Sequence, residues 1–396
     1  MRSPTRRRSS TSAICPSSRT SAVSLDSGAT AAARGDLLRR YYQELTARGF
    51  SADAAQLVAV ARLEDLRTRL IGAAVGAPRW LTALLPSRQR APVKGLYLWG
   101  GVGRGKTWLM DLFFTSLPFP QRRRQHFHRF MHDVHAQLKP LEHQRAPLDH
   151  IAAGIARETR VLCFDELYVT DIADAMILGG LFEGLLRRGV TLVVTSNLPP
   201  DQLYRDGLQR QRFLPAIRLL EEHLEILQLA GPTDYRLRQL TQAGTYLLAG
   251  APDTARRLAA LFSELGGAGV QQGGSILIEG RPIPVIRLAH DAAWFDFRAL
   301  CGGPRSQEDY IEIAREFQSV FVSDVPLFDA DHEDEARRFV ALVDELYDRN
   351  VNLVLSAAAA PTQLYRAERV RDMFERTVSR LTEMQSAEYL AREHRP

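Results

Sequence analysis

The feature that most restricts this chain is a strand, a glycine loop and a helix in unbroken succession. Gly95-Leu96-Tyr97-Leu98-Trp99 is an apolar run of strand length; Gly100-Gly101-Val102-Gly103-Arg104-Gly105-Lys106-Thr107 follows directly, and Trp108 to Phe114 continue at helical spacing. In that context G-x-x-x-x-G-K-T specifies a polyphosphate cradle. Glycines let the backbone turn tightly and aim successive N–H groups inward, and the helix N-terminus adds partial positive charge. Lys106 is expected at the β- and γ-phosphates, and the Thr107 hydroxyl in the coordination sphere of Mg²⁺.

Two further strand ends supply the chemistry that such a cradle needs. Val161-Leu162-Cys163-Phe164 runs into Asp165-Glu166, and adjacent carboxylates at a strand end are costly unless a cation or substrate requires them. Asp165 is expected to hold the metal through water, and Glu166 to polarise the attacking water. Thr191 to Thr195 form a third apolar strand ending in Ser196-Asn197, so Asn197 is expected at the γ-phosphate, orienting that water. Beyond it, Arg210 and Arg212 are candidates to reach a neighbouring subunit's γ-phosphate, which would make an oligomer mechanistically useful.

Apolar runs separated by helical patterns, with helices expected from Lys106, Asp174 and Asp201, read as a parallel sheet covered by helices on both faces. The expected divisions are a disordered basic tail (1–34), a helical lead-in (35–94), an α/β core (95–235), a mixed connecting segment (236–293) and a C-terminal α/β segment (294–396). Three cysteines, Cys15, Cys163 and Cys301, lie far apart with no ligand-like spacing, which argues against a disulfide framework and a zinc cluster. Net charge is +5, but residues 1–34 carry six arginines against one acid, which leaves the remainder formally neutral. That balance argues against a general nucleic-acid-binding field. Arg122 to Arg124 read as a solvated edge, and His128, His132 and His135 as hydrogen-bonded structural or nucleotide-adjacent groups rather than metal ligands. No apolar run reaches the roughly 20 residues that a membrane helix needs, although peripheral membrane association stays open.

The order of these parts resembles an AAA+ ATPase, that is, a P-loop NTPase. The words around them are more specific: His126-Phe127-His128-Arg129-Phe130-Met131, Phe164-Asp165-Glu166, Thr195-Ser196-Asn197, Gly207-Leu208-Gln209-Arg210, Asp234-Tyr235-Arg236 and Arg376-Thr377-Val378-Ser379-Arg380-Leu381. From about Asp36 to Leu390 the chain resembles the ZapE family of cell-division ATPases. The resemblance implies ATP and Mg²⁺ as ligands, the tubulin-like polymer protein FtsZ or another division-ring protein as partner, an ATP-dependent homo-oligomer, and a cytoplasmic protein recruited to the division site. Its alternatives are a nucleic-acid-dependent ATPase of the helicase-loader kind, or a mitochondrial quality-control ATPase with residues 1–34 as presequence.

The chain also echoes itself. At a constant offset of 161, Arg188 to Phe213 align without gaps to Arg349 to Phe374, with eleven of 26 positions identical. Shifted by two, Val161 to Asp165 correspond to Val320 to Asp324, which sets Glu166 against Val325 and Asn197 against Ala358. The C-terminal part is therefore expected to be a degenerate repeat unable to hydrolyse ATP, with Ala299 to Ser306 as the remnant of its phosphate loop and Arg371, Arg376 or Arg380 free to present charge.

Overall fold

The computed structural model describes residues 35–48, 52–75, 92–141, 144–231, 235–278 and 280–395. The tail expected over 1–34 lies outside them. Two lead-in helices, α1 (Asp36–Arg48) and α2 (Ala54–Val75), precede β1 (Gly95–Trp99), the glycine loop and α3 (Lys106–Ser116). There follow β2 (Arg122–His126), α4 (Phe127–Leu138), α5 (Pro147–Glu158), β3 (Val161–Asp165), α6 (Ile172–Arg187), β4 (Thr191–Ser196), α7 (Leu214–His223) and β5 (Leu224–Gln228). These strands form one parallel sheet in the order β2-β3-β4-β1-β5.

Burial explains the order. Every residue of β3 and β4 is buried, as central strands covered on both faces require, whereas in the outer strand β5 only Leu224 is buried and the rest are half-buried or exposed. Helix α6 begins where the Asp171 carboxylate accepts from the Ala173 N–H, two residues before the expected start. The helix expected from Asp201 is only a 3₁₀ turn, Pro200–Gln202, followed by a second at Arg210–Arg212. Both interruptions have local causes: Pro199 and Pro200 restrict the chain, and Tyr204 and Gln209 adopt left-handed φ.

The rest of the chain builds a second sheet. Helix α8 (Tyr235–Ala243) leads to β6 (Tyr246–Leu248), α9 (Thr254–Gly266), the short β7 (Gln271–Gln272), a hairpin of β8 (Ser275–Ile278) and β9 (Arg281–Pro284), β10 (Arg287–Leu288), β11 (Ala292–Asp296) and α10 (Phe297–Cys301). Then come α11 (Gln307–Glu316), β12 (Ser319–Val325), α12 (Glu333–Asp348), β13 (Asn352–Ala357), α13 (Arg371–Glu383) and α14 (Ala387–Leu390). The strand order is β6-β13-β12-β11-β10-β7. Residues 236–293 therefore do not merely connect, because β6, β7, β10 and the start of β11 belong to this second sheet.

Its parallel part, β11-β12-β13-β6, repeats β2-β3-β4-β1, down to individual hydrogen bonds. The Tyr97 hydroxyl donates to the Leu198 carbonyl at 2.8 Å, and the Tyr246 hydroxyl to the Ala359 carbonyl at 2.6 Å. Gly100 N–H donates to Ser196 O at 3.2 Å, and Ala249 N–H to Ala357 O at 2.7 Å. The offset of 161 holds through β4 and β13, but pairing of Val161 with Thr191 and of Ser319 with Asn352 makes the preceding strands differ by three residues, not two. The structural counterpart of Glu166 is thus Asp324: both have positive φ, and both backbone N–H groups donate to a β-strand hydroxyl, of Thr195 at 3.1 Å and Ser356 at 3.0 Å. The counterpart of the glycine loop is Ala249 to Asp253, between β6 and α9, rather than Ala299 to Ser306. It has neither the lysine nor the full set of glycines. Arg376 and Arg380 are both paired with Asp344.

Candidate active site

The cradle forms as a consequence of glycine geometry. Gly100, Gly103 and Gly105 have positive φ. A Cβ on Gly100 would stand 2.6 Å from the Leu229 carbonyl oxygen, and one on Gly105 2.9 Å from the Gln56 amide nitrogen. Gln56 in turn donates to Arg104 O at 2.9 Å and accepts from the Tyr41 hydroxyl at 3.0 Å, so the lead-in helices brace the loop from behind.

The Lys106 ammonium lies inside the loop and donates to Gly100 O at 2.7 Å, Gly101 O at 2.8 Å and Asn197 Oδ1 at 2.7 Å. Burial pulls its pKa down to about 8, partly offset by the nearby Glu166 carboxylate. It remains cationic at neutral pH, with three acceptors that a bound polyphosphate can replace. Lys106, Thr107, Glu166 and Asn197 line one cleft, which encloses about 1010 Å³ of empty space including its open mouth.

Glu166 turns into the cleft because its φ is 53°, a left-handed backbone that costs about 1 kcal/mol or more in a non-glycine residue. Its Oε2 lies 3.4 Å from His394 Nδ1, near the end of the chain. Burial raises the Glu166 pKa, but the His394 contact and the nearby His126 together hold the carboxyl below the usual carboxylate range.

Asp165 is fully buried and faces other partners. Oδ2 lies 2.6 Å from Arg124 Nε and 2.6 Å from His290 Nε2. Burial would favour its neutral form, yet Arg124 and then His290 overcome that and hold the carboxyl well below its ordinary range. Arg124 also bonds Asp111 on α3. The basic run of β2 is therefore not simply a solvated edge, since its third arginine is an interior cation. Hard oxygen donors suited to Mg²⁺ are nevertheless present at the cleft, in the Thr107 hydroxyl and the Glu166 and Asp291 carboxylates.

The second sheet roofs the cleft. Asp291, Ala292, Gln318 and Ser319, at the N-terminal ends of β11 and β12, face the loop, and Arg236 and Gln239 project from α8. Of these, Arg236 lies in the motif Asp234-Tyr235-Arg236; the others carry no motif of their own. His126 and His290 stack with ring centroids 4.3 Å apart, and with Asp291 bring potential ligand atoms within 4.8 Å of one another. Since His290 is already engaged by Asp165 beside the Arg124 guanidinium, the cluster serves as an ionic seam between the two sheets. Of the other histidines, His135 pairs with Asp174 at 2.7 Å and His132 is exposed. Arg210 and Arg212 do not line the cleft; Arg210 bonds the Asp201 carbonyl and Arg212 is exposed.

Several known proteins are similar to this chain. The cell division protein ZapE of Escherichia coli (strain K12) is 46% identical over 366 residues, spanning 90% of this chain and 97% of that protein. Lactation elevated protein 1 homolog B of Danio rerio is 37% identical over 344 residues, 75% of this chain and 68% of that protein. Among solved structures, DnaI is similar over 46% of this chain and 85% of that one, at 18% identity and a TM-score of 0.31. A family model described as AFG1-like ATPase matches residues 36–393, and with the phosphate loop, its buried lysine and the cleft in place, this chain belongs to the AFG1-like ATPase family.

Proposed function

We propose that this ATPase hydrolyses ATP with Mg²⁺ and couples turnover to remodelling a protein of the bacterial division ring, with FtsZ polymers as its substrate. The observation that carries the hydrolytic part is the convergence of Lys106, Glu166 and Asn197 on one cleft. Lys106 would hold the β- and γ-phosphates, Asn197 would orient a water, and Glu166 would take its proton. Thr107 and Asp165 would hold the metal, which supplies charge neutralisation when bound. Because the oxygens of Asp165 already bond Arg124 and His290, its contact with metal would run through water.

The partner assignment is supported by the 46% identity to a cell division protein over nearly its whole length. Arg210 and Arg212, on the surface beyond β4, are proposed to act on the nucleotide of a neighbouring copy in an ATP-dependent homo-oligomer. Among the described residues no helix is long and apolar enough to cross a membrane. The test is ATP hydrolysis by the full chain, with Mg²⁺ or excess chelator, alone and with FtsZ polymers or single-stranded DNA. Stimulation by FtsZ and loss with chelator are expected. Stimulation by DNA alone would replace the partner reading, and full activity in chelator would remove the metal.

A further inference from the structure

His394 lies 228 residues from Glu166 in the chain and touches it. Its side chain is 1% exposed, and both ring nitrogens face acceptors: Nδ1 the Glu166 carboxylate at 3.4 Å, and Nε2 the Ala314 carbonyl, at the end of α11, at 2.7 Å. A buried ring held at both nitrogens has a fixed orientation.

The segment that carries it is tied down. Asn350 Nδ2 donates to Glu393 O at 2.7 Å, and Arg395 N–H donates to Arg349 O at 2.9 Å. Asn350 has φ 53°, and its counterpart in the first sheet is Gly189, φ 79°. Asparagine is among the few residues that tolerate this conformation, and here its amide provides a bond that glycine cannot. Upstream, the Tyr389 hydroxyl lies 3.2 Å from Tyr347 O. Every one of these anchors belongs to the second sheet and its helices, whereas Glu166 belongs to the first.

We propose that His394 is a positioning residue for ATP hydrolysis, fixing the Glu166 carboxylate toward the cleft and making its alignment depend on the seating of the C-terminal unit. This rests on Glu166 being the acid that activates water. A base oriented by a third group is the general arrangement of activated nucleophiles, and Glu166 needs such support because its strained backbone turn alone leaves its side-chain torsions free.

The experiment is steady-state ATPase kinetics on the full chain with His394→Ala, His394→Asn and His394→Gln, alone and combined with Glu166→Gln. Asparagine returns a donor near the position of Nδ1, toward Glu166; glutamine returns one near Nε2, toward Ala314. The expected result is a kcat loss of about tenfold for alanine with KM for ATP within about twofold, substantial recovery with asparagine and little with glutamine. In the Glu166→Gln background, His394→Ala should change nothing further.

Parental kcat in His394→Ala, or recovery by glutamine equal to that by asparagine, overturns the proposal. If the alanine variant is too unstable to assay, the asparagine and glutamine variants decide by themselves. Undiminished hydrolysis by Glu166→Gln alone would instead remove the underlying base assignment, so the two failures are separable.

Discussion

Asn197 Oδ1 accepts a hydrogen bond from Lys106 Nζ at 2.7 Å, joining the tip of β4 to the first turn of α3 across the phosphate cradle. The contact predicts different outcomes for its two members. Lys106→Ala should abolish binding of a fluorescent ATP analogue. Asn197→Ala should keep binding within a fewfold while lowering kcat by about 10²-fold. Equal loss of binding in both would mean that Asn197 serves the lysine and not the water.

Glu166→Gln keeps the size and backbone of the acid but not its basicity. Nucleotide binding should persist while turnover falls by about 10²-fold or more, giving a stable ATP complex. Filter binding against a single-turnover assay separates the two quantities.

Arg124→Ala would leave Asp165 fully buried with His290 as its remaining close cation, and Asp111 without its guanidinium. Removing one member of a buried pair costs about 3–5 kcal/mol. Chemical denaturation should show a loss near the lower end, about 3 kcal/mol, because His290 stays. A change below about 0.5 kcal/mol would mean that the cluster is solvated.

Burial pushes the His128 pKa down to about 3, with the neighbouring His126 adding to the shift. The unfolded chain takes up that proton near pH 6.5. The contribution is therefore complete above about pH 6.5 and is lost as pH falls toward 3. Between pH 7 and pH 5 the expected loss is about 1–2 kcal/mol. Denaturation midpoints of parental protein and His128→Gln should show a flatter acid limb in the variant.

Legibility in the sequence followed the range of the contacts. The strand, loop and helix from Gly95 to Phe114 are contiguous, so the cradle and its lysine could be read directly. Glu166 and Asn197 each end an apolar strand, and parallel packing brings both to the same edge as the loop. Arg124 was opaque because a basic run on a border strand looks solvated until Asp111 and Asp165 are seen to close on one of its members. His290 and His394 carry no local signature, since packing of the second sheet over the first delivers them. The echo at offset 161 is legible, but the register of its preceding strand differs from the expected one by one residue. Pairing with β13, which sets Ser319 opposite Asn352, fixes that strand's register, and pairing across strands is invisible in the order of residues.

The stacking of the two sheets has a consequence for assembly. The N-terminal ends of β11 and β12 overhang the C-terminal ends of β1, β3 and β4, so the polypeptide supplies its own roof, already tethered. Placing that roof forfeits no translational freedom of a second molecule, and Asp291 and His394 reach the edge of the cleft at any protein concentration. Dilution would then strip away only what another copy would donate in the proposed oligomer, and the residual rate of an isolated molecule would measure how far one chain can carry the chemistry by itself.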